Sequence, residues 1–182
     1  VPENYTDILR NLAKSEKCVA IGEIGLDYHY EGYNADLQKK IFEEQLDLAQ
    51  ELDLPVVIHS RDATEDTLNI LRKRGKVKGV MHCFSGSAET AKQVLDLGLN
   101  ISFTGVLTFK NAKKAIGALE VTPLDRLMLE TDCPYMAPEP NRGKRCDSSM
   151  IVHIIGRISE IKNVPPEDVA RQTVENTLSL FY

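Results

Sequence analysis

The chain has 182 residues, of which 42% are hydrophobic and 27% charged, with a formal net charge of −5 at pH 7. That is enough apolar surface for a core, so a disordered chain is excluded. No apolar run approaches the roughly 18 residues that a membrane helix needs. The acidic balance excludes a protein that coats nucleic acid through bulk positive charge, although a metal or a local basic patch would still bind one. The chain opens on Val1-Pro2, with no initiator Met and no signal-peptide pattern.

Short apolar runs alternate with helical patterns. Residues 4–14 read as a helix, and VAIGEIGLD (19–27) as the first strand. Residues 35–53 form an amphipathic helix with Leu37, Ile41, Leu48 and Leu52 on one face and Phe42, Leu46 and Ala49 beside it. LPVVIHS (54–60) is the second strand. Asp62 with Glu65 then resembles a capping box that opens a helix over 63–74. GVMHCFSG (79–86) is the third strand. Ser87 caps a helix over 88–97, with Gly98 where a helix-ending glycine belongs. LNISFTGV (99–106) and RLMLETDCPY (126–135) complete the strands, with a short helix over 111–119 between them. The last helices span 147–162 and 166–181, the second opened by Pro165-Pro166-Glu167-Asp168.

Five strands alternating with helices predict an α/β fold with a parallel sheet, either an open doubly wound sheet or a (β/α) barrel. No glycine-rich nucleotide-binding fingerprint follows any strand. The strand ends instead carry polar residues: Glu23 and Asp27, His59, His82, then Glu130 and Asp132. In both architectures the active site lies at that edge. Two imidazoles and several carboxylates converging there point to a divalent metal. Singly, each residue has a plainer reading: a hydrogen-bonded core histidine, a carboxylate paired with lysine, a turn residue. The four cysteines, Cys18, Cys83, Cys133 and Cys146, form no CxxC pair and read as reduced thiols of a cytoplasmic protein. Cys83 and Cys133 adjoin His82 and Asp132, so a cysteine nucleophile is an alternative to a small apolar filler.

The blocks AIGEIGLDY (20–28), Gln38 with Phe42, PVVIHSRDA (55–63), MHCFSG (81–86), ISFTGVLTF (101–109) and LETDCPYMAPEPNRGKR (129–145) resemble the TatD family of metal-dependent deoxyribonucleases, within the TIM-barrel metal-dependent hydrolases. The resemblance runs nearly end to end. It implies a barrel fold, one or two divalent ions (Mg, Mn or Zn) and hydrolysis of DNA phosphodiesters, in the manner of a 3′–5′ exonuclease. It also implies roles. Glu23 is the carboxylate expected to bridge two metals, and His59 and His82 are ligands of one. Asp132 binds the other and orients or deprotonates the attacking water. Arg61, Arg142 and Arg145 are candidates for DNA phosphates and Phe84 for stacking on a base, although Arg61 could equally pair with Asp62 or Glu65. The family's opening HxH pair is missing from this sequence, so the second metal would keep only Glu23 and Asp132.

A (β/α)₈ barrel takes about 250 residues. The expectation is therefore a single domain over 1–182 that forms the C-terminal portion of such a barrel, with about five of eight βα units. Its open edges would favour self-association. Two alternatives stand beside nuclease activity: a catalytically impaired partial barrel, and a related hydrolase acting on an ester or amide.

Overall fold

The computed structural model describes residues 1–182. Twelve principal elements follow in order: α1 (Tyr5–Leu12), β1 (Ile21–Asp27), α2 (Ala35–Glu51), β2 (Val56–Arg61), α3 (Thr64–Arg74), β3 (Gly79–Met81), α4 (Ala88–Asp96), β4 (Asn100–Phe103), α5 (Lys113–Val121), β5 (Leu127–Leu129), α6 (Ile151–Lys162) and α7 (Pro166–Phe181). The strands form one parallel sheet in the order β1-β2-β3-β4-β5. Sequential order with helical crossovers is the βα topology of a TIM barrel, here with five strands where a closed barrel has eight. No helix is long and apolar enough to cross a membrane. The chain separates into two compact units, residues 1–80 with 180–182, and residues 81–179.

In the first unit, α2 packs on β1. Its core face is Phe42, Leu46 and Ala49, at i, i+4 and i+7, together with Leu48. Leu37, expected on that face, is 48% exposed. Apolar residues at nearly every phase of this helix leave its orientation ambiguous from the pattern alone, and the Phe42 side sets it. Asn34 caps the helix through its side chain, which accepts from the Leu37 N–H at 2.9 Å. The Gln38 amide then clamps β1: its oxygen accepts from the Asp27 N–H and its nitrogen donates to the Asp27 carbonyl, both at 2.7 Å. The capping box at Asp62 does not form. The helix cap is Ala63 and has no side-chain bond. Asp62 lies at φ 54°, outside the extended range of a capping residue, and its carboxylate meets the His29 ring at 3.0 Å.

In the second unit, Ser87 caps α4 as expected, accepting from the Thr90 N–H at 3.2 Å, and Gly98 follows the helix at φ 87°. The third and fifth strands are shorter than the sequence suggests. The third ends at Met81, because Cys83 turns at φ 47°; the fifth ends at Leu129. The fourth passes into a 3₁₀ turn over Gly105–Thr108. Lys162 reaches from the end of α6 to the Glu120 and Thr122 carbonyls at 3.1 and 2.6 Å, satisfying groups left open at the end of α5. Asn176 of α7, 8% exposed, donates to the Leu124 and Leu127 carbonyls at 2.8 and 2.7 Å and fixes the entry to β5. All four cysteines are free thiols.

Candidate metal centre

The first unit assembles its carboxylates around one imidazole. In β1 the register with β2 slips between Gly22, opposite Val57, and Ile24, opposite Ile58. Glu23 is therefore the extra residue of a bulge, a feature that re-aims side chains. Ile21, Ile24 and Leu26 turn into the core, while Glu23, Gly25 and Asp27 share the other face. Gly25 pairs with His59. The imidazole thus stands between two carboxylates: Glu23 Oε2 lies 3.7 Å from Nδ1, and Asp27 Oδ2 lies 3.2 Å from Nε2. Gly25 permits this approach, since a Cβ there would fall 1.9 Å from the His59 carbonyl oxygen. Burial alone would push the Asp27 carboxyl up. The His29 N–H and the His59 ring outweigh it and hold that carboxyl below its usual range.

In the second unit, His82 is 8% exposed and its Nδ1 lies 3.6 Å from Glu130 Oε2. Glu130 also accepts the Cys83 N–H. Burial would raise its carboxyl too, but the His82 ring, the Cys83 N–H and Ser102 hold it below the usual range. Asp132 lies two residues on, half-buried, and its carbonyl accepts from the Tyr135 N–H at 2.7 Å.

His59 thus has Asp27 on Nε2, with Glu23 facing Nδ1, and His82 has Glu130 on Nδ1. Metal-binding imidazoles commonly carry an orienting carboxylate on one nitrogen and give the other to the ion. Asp27 and Glu130 stand out in the sequence as strand-end carboxylates. Their function as partners of His59 and His82 was not legible there, and neither was the Gln38 clamp.

The candidate substrate residues lie in several environments. Arg61, exposed, stands over the Tyr30 ring at 5.6 Å, whereas Asp62 pairs with His29. Arg142, exposed, sits 3.7 Å above the centroid of Phe109, a close cation–π contact. Arg145 is exposed on the same loop. Phe84 is 7% exposed and meets Phe103 edge-on at 6.2 Å, so its ring is packed in the core.

The family model for TatD related DNase matches residues 2–182. The chain belongs to the TatD family. Its relatives include the metal-dependent hydrolase YabD of Bacillus subtilis, 46% identical over 175 residues, covering 95% of this chain and 69% of that protein. The metal-dependent hydrolase YcfH of Escherichia coli K12 is 43% identical, covering 96% of this chain and 66% of that one. Among solved structures, the TatD homologue YjjV of Escherichia coli K12 superposes with a TM-score of 0.93 at 30% identity, over all of this chain and 71% of that one. The chain spans about two thirds of the length of the TatD relatives it matches.

Proposed function

We propose that the chain is a metal-dependent phosphodiesterase acting on DNA, with Glu23, His59 and His82 as the ligand set of one divalent ion. Glu23 and His59 stand together in the first unit, and the family resemblance assigns His82 as the third ligand. The observation that carries the reading is His59 held between Glu23 and Asp27 at 3.7 and 3.2 Å, in a chain of the TatD related DNase family. A carboxylate and two imidazoles suit Mn or Zn, and Mg less well.

A bound ion of this kind lowers the pKa of a water molecule and neutralises charge on the phosphoryl group. Glu23, His59 and His82 would hold the ion. Asp27 and Glu130 fix the two imidazole planes. Asp132 positions the attacking water and accepts its proton. A second ion would draw on Glu23 and Asp132. Arg61, Arg142 and Arg145 neutralise backbone phosphates, where the guanidinium fork matches two oxygens at once. With Phe84 in the core, stacking on an unpaired base falls to Tyr135, which is 69% exposed. Four free thiols accord with a cytoplasmic setting.

The test is degradation of 5′-labelled single-stranded DNA with Mn²⁺ or Mg²⁺, followed by electrophoresis. Progressive shortening from the 3′ end, abolished by a chelator and by Asp132→Asn, is the expected result. DNA left intact at every metal concentration, or cleavage unaffected by Asp132→Asn, refutes the reading.

A further inference from the structure

A second pair of reactive groups stands on the loop after β5. Cys133 is exposed, and Cys146 is buried at 3% exposure. The loop between them doubles back, and the Cys146 N–H donates to the Pro134 carbonyl at 3.0 Å. The backbone of one cysteine therefore lies against the residue that follows the other. Burial first, and then the neighbouring Cys133 thiol, push the Cys146 thiol above its usual range. The Cys133 thiol also donates to Thr131 Oγ1 at 3.1 Å, which holds it at the foot of the loop.

We propose that Cys133 and Cys146 are a redox pair that closes to an intramolecular disulfide in the presence of a peroxide. The steps balance. The Cys133 sulfur attacks one oxygen of hydrogen peroxide and the O–O bond breaks, giving a sulfenic acid and one water. The Cys146 sulfur then attacks the Cys133 sulfur. The S–O bond breaks, and the hydroxyl leaves with the Cys146 proton as a second water. Two thiols are oxidised by two electrons, and one peroxide is reduced by two. Exposure makes Cys133 the sulfur that a dissolved oxidant reaches. Burial shields Cys146 from the oxidant, and its backbone bond to the Pro134 carbonyl keeps it beside the residue that follows Cys133. An exposed cysteine without a neighbour climbs to sulfinic acid, and a resolving thiol halts that climb at a reversible stage. The disulfide would tie both ends of the segment that carries Asn141, Arg142, Lys144 and Arg145, next to Asp132. The inference rests on the thiols alone and holds whatever substrate the chain takes.

The experiment treats the reduced chain with hydrogen peroxide, alkylates remaining thiols under denaturing conditions, and maps peptides by mass spectrometry. The expected result is a Cys133–Cys146 linked peptide, two hydrogens lighter than the sum of its parts. Labelling of the two cysteines should be lost one for one, restored by dithiothreitol, and retained at Cys18 and Cys83. Cys146→Ser should carry Cys133 on to sulfinic acid. Loss of Cys133 labelling with Cys146 still labelled, a disulfide between two chains, or no change at either cysteine overturns the proposal. The deciding measurement uses the unsubstituted chain, so it does not depend on how the variant folds.

Discussion

Gly25→Ala tests the architecture of the candidate centre at its narrowest point. Gly25 sits at φ 139°, a conformation that L side chains rarely adopt. An added Cβ would lie 1.9 Å from the His59 carbonyl oxygen, 2.9 Å from its carbon and 3.1 Å from its nitrogen. Ordinary C···O contacts are about 3.3 Å or longer, so the strands must part by more than an ångström. All three obstructing atoms are backbone, so no rotamer change relieves the clash. Backbone strain contributes about 1–3 kcal/mol and overpacking a further 1–3 kcal/mol. In a chain of this size, each kcal/mol moves the melting temperature by about 2–4 °C. Thermal denaturation followed by circular dichroism should therefore show a fall of roughly 5–20 °C. Gly156→Ala is the control. A Cβ there meets nothing within 4 Å, and the position is inside α6, where alanine is favoured by about 0.5–1 kcal/mol. That variant should melt slightly higher than the parent. A Gly25→Ala chain that melts within about 2 °C of the parent would refute the close approach of β1 to His59.

Three further outcomes follow from single contacts. Ser87→Ala removes the side-chain bond to the Thr90 N–H and should cost about 1 kcal/mol in urea denaturation, with an unchanged m-value; no loss would mean the cap is not formed in solution. Asp66 accepts from Lys39 and Tyr28, which hold its carboxyl below the usual range. Its contribution is therefore present above the unfolded pKa of about 3.9 and lost as pH falls through the lower folded value. Asp66→Asn should flatten the fall in stability across that acid window, and an identical pH profile would count against the pairing. Arg142→Ala should weaken binding of single-stranded DNA and reduce the salt slope of the binding constant by about one, without affecting metal binding; an unchanged slope removes Arg142 from the phosphate contacts.

How much was legible in the sequence depended on the kind of signal. Strands and helices declared themselves through alternating apolar runs, and Ser87 and Gly98 marked the bounds of α4 through chemistry that acts locally. The ends of β3 and β5 did not, because Cys83 leaves the extended range and Glu130 turns to the Cys83 N–H. Those are decisions of tertiary structure. The same holds for α2, where Leu37 and Phe42 are equally apolar and only packing selects between them. At the centre, the residue types of Glu23, His59 and His82 were visible, but the bulge that aims Glu23 was not. It depends on the register with β2, which no local pattern encodes. Asp62 misled for the opposite reason: its spacing to Glu65 fits a cap, yet His29, distant in sequence, takes its carboxylate.

The most direct measurement is titration of Mn²⁺ into the metal-free chain by isothermal calorimetry, beside Glu23→Gln and Asp27→Asn. Glu23→Gln removes a ligand charge, and Asp27→Asn removes the carboxylate that orients His59 while leaving every proposed ligand in place. The parent chain should bind saturably, with affinity weakened by about 10–100-fold in Asp27→Asn and at least as much in Glu23→Gln. Equal affinity in all three chains, or no binding by the parent, would contradict the proposed metal centre.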